Sequence, residues 1–375
     1  MCLDQSNQNL WIGCQGGLLM IHNLASKQTR YEVVKEADGG TIRYITKDKR
    51  GVMWLGTQNG RLIQCEQNSF RVVYNVGTII YKVFVDKQGW LWVATHEKGI
   101  YAFDPVYGNM LQHYTSEGAA NRLYSNTGTD IEQLNDSTIV YAAGVLNLIN
   151  KRTHRIRWLG YEDGLPSNSA LRLRMDYKGY LWIITTNGLC RLNPANGHIT
   201  PYGRKDGIVV GEQTRDADFI TRKGTLLFAG SNNVLIFDPV IFSNTQAPPN
   251  VTITDFKLFN NNLPVDSLLQ RDYVRLSSNQ NSVSIYFASL SFMQRDKLTY
   301  YYKLQGIDEE WIRADNAFFA NYTSLPPGRY RFSVYCENLE GLRSPNITSI
   351  DLVIKPPFWR TGWFISSLLF VMLLI

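Results

Sequence analysis

The sequence predicts an all-β protein: a β-propeller with six recognisable blade repeats, then an immunoglobulin-like β-sandwich, then the start of a transmembrane helix. Three observations support this fold class. One strand–turn–strand motif returns six times, its period ends at Pro248-Pro249, and the last 18 residues carry a single charge, Arg360. We therefore predict domains at 1–247, 248–357 and 358–375.

Composition agrees with a folded β protein and argues against several classes of function. The chain is 44% hydrophobic and 19% charged, and its 13% aromatic residues and 29 glycines favour strands and tight turns. The net charge of +6 is scattered without a basic run, so nucleic-acid binding is not expected. Five cysteines and five histidines show no ligand spacing, and we predict no metal and no cofactor.

The repeats are the strongest feature of the sequence. Six copies align on a short apolar strand, "LWIGC", "MWLGT", "LWVAT", "IVYAA", "LWIIT" and "LLFAG", each followed by a turn and a second apolar strand. The second residues of the copies are Trp11, Trp54, Trp92, Val140, Trp182 and Leu227, at spacings of 43, 38, 48, 42 and 45 residues. This period and strand density are typical of propeller blades. We expect the Trp side chains to wedge between neighbouring blades rather than to bind a ligand.

Turns and array ends complete the propeller prediction. An Asp-x-x-Gly turn precedes three copies, starting at Asp48, Asp86 and Asp176. We interpret it as structural, because the Asp side chain bonds to the backbone of the turn and Gly takes positive φ.

The two ends of the repeat array are incomplete. Few residues precede the Trp11 strand, and the last copy runs into the linker sequence "SNTQAPPN". Either the two ends complete one blade together, or the chain begins inside a larger propeller.

The region after the linker has the pattern of a β-sandwich. Short strand-like stretches such as "SVSIYFASL" and "GRYRFSVYCEN" replace the repeat. The segment "LPPGRY" predicts a tyrosine corner, in which the Tyr330 hydroxyl bonds back to nearby backbone. We expect Trp311 to fill the sandwich core.

The two ends of the chain differ in character. The first residues lack the basic and apolar regions of a signal peptide. The segment 358–375 is predicted to begin a transmembrane helix, with Trp359 and Trp363 at the membrane interface. A buried terminal helix is the alternative interpretation of the same segment.

Two sets of motifs give the chain a family resemblance. The stretch "LTYYYKLQGIDEEWIRADNAFFANYTSLPPGRYRFSVYCENLEG" with "IKPPFWRTGWF" resembles the Y_Y_Y domain and juxtamembrane segment of hybrid two-component sensors. The "LWIGT"-type units, with "EDGLPSN" and "DGIVVGEQ", resemble the regulator propeller repeats of the same proteins.

The resemblance implies a sensor of the inner membrane with residues 1–357 in the periplasm. It further implies a small-molecule or oligosaccharide ligand, a homodimer, and signalling through the sandwich to the membrane helix. In the family, a histidine kinase and a DNA-binding response regulator follow. No kinase or receiver motif is present in this chain, so neither activity is assigned to it.

Two other functions compete with sensing. A propeller glycosidase would need two carboxylates about 5 to 9.5 Å apart, whereas the recurring Asp residues lie in turns. No nucleophile or phosphate-loop motif occurs, and we expect no enzymatic activity. A surface adhesion or scaffold propeller that binds a protein partner is the remaining alternative.

Candidate ligand-binding residues are those that break the repeat pattern, since connecting loops carry function more often than strands do. One pair replaces the Gln-Asn or Thr-Asn of the sister turns, and the others are placed in two of the connections between blades. These candidates are His96, Glu97, Trp158, Tyr161, Arg204, Glu212 and Arg215.

Overall fold

Six antiparallel sheets follow one another along the first part of the computed structural model. The structure describes residues 1–375 except 5, 7, 68, 119, 209–212, 243–247, 260, 264–272, 290–297, 315–317, 339–340, 361, 363, 365, 368–371 and 373–375, and the side chains of 205, 213–217, 261–263 and 360 also lie outside it. Two units separate at residues 243 and 244. The boundary predicted at 247 falls outside the described residues.

Each of the six sheets is a meander whose neighbouring strands pair in sequence order. The sheets contain β1 Cys2–Leu3, β2 Asn9–Gly13, β3 Leu18–Asn23 and β4 Thr29–Val33; β5 Ile42–Lys47, β6 Met53–Thr57, β7 Arg61–Glu66 and β8 Ser69–Asn75; β9 Ile80–Val85, β10 Leu91–Thr95, β11 Ile100–Phe103 and β12 Met110–Tyr114; β13 Asp130–Asn135, β14 Thr138–Ala143, β15 Val145–Asn150 and β16 Ile156–Leu159; β17 Ala170–Met175, β18 Leu181–Thr185, β19 Gly188–Leu192 and β20 Ile199–Tyr202; β21 Gln213–Ile220, β22 Leu226–Gly230 and β23 Val234–Phe237. Strands β5, β9, β13, β17 and β21 lie beside one another in that order. The sheets are therefore propeller blades, with the first strand of each on the inside.

The first and last blades are smaller than the others. Strand β1 has only two residues, and the described part of the sixth blade has three strands. Both features agree with the incomplete array ends that the sequence predicts.

Five hydrophobic clusters join successive blades. Trp11 packs with residues of the second blade, Trp54 with the third, Trp92 with the fourth and Trp182 with the sixth. Trp54, Trp92 and Trp182 are fully buried and Trp11 is 6% exposed. The predicted role of these side chains as wedges is confirmed. In the fourth blade, Val140 takes the position that Trp has in the other blades named. Val140 packs in the cluster between the fourth and fifth blades, where its neighbours are aliphatic.

Each Asp-x-x-Gly turn also holds the Trp of its own blade. Asp86 accepts backbone N–H bonds from Gln88 (2.9 Å) and Trp90 (2.8 Å), and its second oxygen accepts the Trp92 indole N–H at 3.0 Å. The turns at Asp48 and Asp176 repeat this pattern. A buried indole N–H needs a partner, so the Asp six residues before each Trp is structural.

Buried ion pairs cross between blades as well. Lys82 on β9 pairs with Asp130 on β13, and Lys151 after β15 reaches Asp86 at 2.8 Å. All four side chains are 6% exposed or less. Breaking such a pair leaves an uncompensated buried charge, so these pairs fix the third blade against the fourth.

The second unit is a sandwich of two sheets. One sheet contains β24 Val251–Leu258, β25 Asn261–Leu263, β27 Val283–Ser289 and β30 Phe319–Tyr322, and the other contains β26 Val274–Leu276, β28 Thr299–Gln305, β29 Ile312–Ala314, β31 Gly328–Glu337 and β32 Thr348–Ile354. One core fills the space between them and ends at Ile354. A fragment of residues 1–357 therefore contains every residue of the hydrophobic cores that the structure describes.

Aromatic residues of the sandwich confirm one prediction and correct another. The Tyr330 hydroxyl donates to the Pro326 carbonyl at 2.8 Å, which is the predicted tyrosine corner. The expectation for Trp311 is wrong, because its half-buried ring packs edge-on against Tyr335 at 4.8 Å, outside the core cluster. Tyr300, Phe287 and other rings fill the core instead.

The predicted transmembrane segment lies mostly outside the described residues. Phe358–Arg360 forms one 3-10 turn, and Gly362, Phe364, Ser366, Ser367 and Met372 are helical. Within the described part of the chain, no helix has the length and apolar character needed to cross a membrane.

Candidate functional site

The connections between blades gather at one end of the propeller. In an antiparallel meander successive turns alternate between ends, so the turn between the second and third strands shares its end with the connection to the next blade. Hydrogen bonds between these segments show the arrangement: His96 N–H donates to the Ile79 carbonyl at 2.9 Å, and the Ser167 and Thr186 hydroxyls lie 2.9 Å apart. We call this end the loop face.

An aromatic cluster stands on the loop face of the fourth blade. The Trp158 ring, 40% exposed, meets the ring of Tyr124, 49% exposed, edge to face at 5.7 Å. The Arg122 guanidinium lies 5.9 Å from the Trp158 ring centroid, and the Arg122 carbonyl accepts the indole N–H at 3.0 Å. Two exposed rings in contact form a larger aromatic surface than a single exposed side chain, and the polar edge of Trp158 is already bonded to the protein.

Buried polar contacts hold Tyr124 in place. Its backbone N–H donates to the side-chain oxygen of Asn147 at 2.7 Å. Asn147 is fully buried, and its amide nitrogen donates to the carbonyls of Tyr141, Ala143 and Val145 at 3.2 to 3.4 Å. The connection that carries Tyr124 is thereby fixed to the fourth blade, which limits the entropy that a ligand would have to remove.

Tyr161 lies on the next connection, close to the same cluster. It is 67% exposed and starts a 3-10 turn, and its backbone N–H donates to the Asn168 side chain at 2.6 Å. A Cβ placed on Gly144 would lie 2.8 Å from the Tyr124 ring and 4.0 Å from the Asn168 carbonyl. Gly144 therefore lies between the two connections.

His96 and Glu97 form the corresponding turn of the third blade. Glu97 has a φ of +65° and is held by a bond from its N–H to the Thr127 hydroxyl at 3.1 Å. The His96 ring packs edge-on against Tyr81, with centroids 5.9 Å apart. No hydrogen bond, ion pair or ring contact among the described residues joins this pair to Trp158.

The remaining candidates are less well defined. Arg204 begins a 3-10 turn on the loop face after β20, while Glu212 and the side chain of Arg215 lie outside the described residues. Two placements are corrected: Trp158 is on the outer strand β16 and Arg215 is in β21, so neither is in a connection.

The sequence reasoning missed Arg122, Tyr124 and Asn168. Arg122 and Tyr124 lie in the connection between the third and fourth blades, and Asn168 lies in the next one, so the aligned strands gave no register in which to compare them. The longest spacing in the repeat, 48 residues, falls at the connection that carries Arg122 and Tyr124 and was the available signal there. Asn168 ends the motif "EDGLPSN".

One carboxylate near the cluster holds a turn. Asp163 beside Tyr161 uses a carboxylate oxygen to accept the Gly160 N–H at 2.9 Å. Across the described part of the chain, no group of three or more His, Cys, Asp and Glu side chains could hold a metal ion. The cluster is suited to binding by ring surfaces and amide groups.

Part of the sandwich matches a known protein family. Residues 292–355 match the Y_Y_Y domain. The match covers β28 to β32, including the tyrosine corner at Tyr330 and the strand with the three consecutive tyrosines.

Relatives match the chain over wider ranges. Over 209 residues it is 27% identical to histidine kinase P4 of Formosa agariphila, covering 54% of this chain and 15% of the kinase. The extracellular domain of the putative hybrid two-component system BT3049 of B. thetaiotaomicron aligns with a TM-score of 0.63 and 21% identity, over 94% of this chain and 49% of that one. The extracellular domain of BT4673, a putative one-component system of the same organism, gives 0.50 and 20%, over 95% and 56%.

The two structural comparisons show a shared fold. The chain, a propeller followed by a sandwich, resembles part of the extracellular domains of BT3049 and BT4673. It spans 15% of the kinase and about half of each solved domain.

Proposed function

We propose that this chain is the ligand-sensing region of a membrane-bound hybrid two-component sensor, and that it binds an oligosaccharide on the loop face of the fourth blade. The observation that carries the proposal is the exposed, preformed pair of Tyr124 and Trp158, with exposed Tyr161 three residues after Trp158 in the chain. Flat aromatic faces pair with the apolar faces of sugar rings, and Arg122 and Asn168 supply hydrogen-bond donors and acceptors for hydroxyl groups.

The location and signalling route belong to the same proposal. Residues 1–357 lie in the periplasm, the segment 358–375 begins a helix through the inner membrane, and the sensor is a homodimer. A bound ligand shifts the geometry of the propeller or dimer, and the Y_Y_Y domain passes the shift through Lys355-Pro356-Pro357. The ligand can shift the equilibrium between the two geometries only if it binds one of them more tightly than the other.

The test is a thermal-shift titration of residues 1–357 with a panel of neutral and acidic oligosaccharides. A ligand present at 100 times its Kd stabilises the folded state by about 2.7 kcal/mol, which for a domain of this size raises Tm by roughly 5 to 10 °C. Circular dichroism and a cooperative melt show that the sample is folded. A panel that leaves Tm unchanged on such a sample contradicts oligosaccharide sensing.

One observation supports a second function. Tyr, Trp and Arg are the residues that dominate protein–protein hot spots, and Arg122, Tyr124 and Trp158 adjoin one another here. A surface scaffold that binds a protein through this cluster would leave Tm unchanged with every sugar. It would instead lose its partner when Trp158 is truncated.

A further inference from the structure

A groove of about 820 Å³ opens on the outer face of the sandwich, over strands β26, β32 and β31. The strand register aligns Arg275, Val353 and Arg329 in one row across the three strands. Neighbouring strands are about 4.8 Å apart, so the two Arg backbones are roughly 10 Å apart with their side chains on the same face. Alternate residues along each strand share that face, which adds Arg331 and Lys355 to the groove.

The groove carries an excess of positive charge. It contains four cations and one carboxylate, Asp351, which is taken by Arg331 in a two-bond pair at 2.7 and 2.9 Å. Within the part of the chain that the structure describes, no carboxylate pairs with Arg275, Arg329 or Lys355. All three side chains are exposed, and Arg275 contacts the Tyr273 ring and hydroxyl. Among the described residues, the groove therefore presents three cations that no carboxylate pairs.

The position of the groove in the chain indicates what it faces. Lys355 is the last sandwich residue before Phe358 and Trp359, which are 59% and 56% exposed. Arg360 and a run without charged residues to Ile375 follow. Basic side chains beside exposed Trp and Phe and next to an apolar run are the composition found where proteins meet a bilayer surface.

We propose that this groove binds the anionic phospholipid headgroups of the membrane that the chain enters. The inference rests on the proposed function in one respect, namely that the segment 358–375 enters a membrane. Phosphodiester groups match the charge and the donor geometry of guanidinium side chains. Contact at this point would hold the sandwich at a fixed tilt to the bilayer surface, next to the joint through which it signals.

The experiment measures vesicle binding of residues 1–357, which lack the apolar run. Binding is compared between phosphatidylcholine vesicles and vesicles with one half phosphatidylglycerol, at low and at high salt. The test variant is R275Q/R329Q/K355Q. The matched control, R30Q/R152Q/R155Q, removes three exposed propeller cations and has the same net charge.

We expect the wild-type fragment and the control to bind the anionic vesicles at low salt and to release them at high salt. Three cations near a charged surface contribute roughly a hundredfold in partition, and the test variant should lose about that factor. Equal binding by the test variant and the control overturns the proposal. So does a wild-type fragment that shows no preference for anionic vesicles, or one that dimerises through the groove instead.

Membrane entry is measured separately. The full 375-residue chain is mixed with neutral vesicles and washed at alkaline pH. Loss of the chain in this wash contradicts the transmembrane part of the proposed function, whereas the anionic preference of the fragment is an independent result.

Discussion

The rings of Tyr124 and Trp158 stand at 89° to one another, with centroids 5.7 Å apart. Tyr124 comes from the connection that enters the fourth blade, and Trp158 from the outer strand of that blade. The indole N–H is bonded to the Arg122 carbonyl at 3.0 Å, so the pair is fixed before any ligand arrives. A ligand would therefore meet an aromatic surface that is already formed.

Gly144→Ala should weaken ligand binding by displacing Tyr124. A Cβ at this position would lie 2.8 Å from the ring, and the residue has a φ of +72°. Gly179 is the matched control, since its φ is +85° but a Cβ there has no neighbour within 4 Å. Both variants should lose roughly 1–2 kcal/mol of stability from the left-handed backbone. Oligosaccharide affinity, measured by calorimetry, should fall only in Gly144→Ala, and equal affinities would contradict this role of Tyr124.

Asp86→Asn should destabilise the propeller more than Asp176→Asn. Both changes disturb the bond to an indole N–H, but only the Asp86 change leaves the buried ammonium of Lys151 without its carboxylate. We expect a loss of about 3–5 kcal/mol at Asp86 and about 1–3 kcal/mol at Asp176, measured by urea unfolding. Adding Lys151→Met to Asp86→Asn should recover part of the loss. Equal losses in the two single variants would show that the ion pair contributes nothing.

Stability should depend on pH through Glu132, an inner-strand residue of the fourth blade. Burial raises the pKa of its carboxyl, and the nearby Lys82 and Arg174 only partly offset this. The folded chain therefore holds a proton over a pH range in which the unfolded chain has lost it. The free energy of unfolding should fall as pH rises from the unfolded pKa of about 4.3 through the folded pKa. Glu132→Gln should remove that part of the pH dependence, and an unchanged profile in the variant would rule it out.

The five cysteines should separate by reactivity in the folded chain. Cys65, Cys190 and Cys336 are buried, and burial raises the pKa of the Cys336 thiol to about 11 and also raises that of Cys190. Thiolates are the reactive species, so these three should label slowly at pH 8. Cys14 is half-buried and should react first, followed by Cys2, which is also half-buried but whose pKa is raised by burial. Labelling followed by peptide mass spectrometry checks the order, with a urea-unfolded sample as the control. Rapid labelling of Cys190 would contradict the blade packing described here.

Most of the fold was predictable because it is repeated. Six copies of one strand pair predicted the six blades, and the Trp positions within the copies predicted which side chains pack between blades. The bond from each indole N–H to the Asp six residues earlier was not predicted, since the turn motif accounts for the Asp and blade packing accounts for the Trp separately. Trp311 was misplaced because it packs on Tyr335, a β31 residue outside the core cluster that holds Phe332 and Val334, and the sequence pattern around Trp311 does not show which face it takes.

The candidate site was predictable only in part. Trp158 and Tyr161 broke the repeat and were found, although Trp158 lies on a strand. Tyr124 and Arg122 are in a long connection, where neither period nor propensity restricts the backbone. Their place beside Trp158 depends on tertiary contacts, namely the bond from the Tyr124 N–H to the buried Asn147 and the bond from the Trp158 indole N–H to the Arg122 carbonyl. Contacts of that kind cannot be read from a single sequence.

The most direct measurement of the central claim repeats the oligosaccharide thermal-shift panel on three forms of residues 1–357. These are the wild type, Trp158→Ala, and Tyr107→Ala as a control that removes an 80% exposed ring from a turn at the opposite end of the blades. The account predicts at least one oligosaccharide that raises Tm of the wild type and of Tyr107→Ala but not of Trp158→Ala. A panel without any shift, or an equal shift in Trp158→Ala, would contradict it.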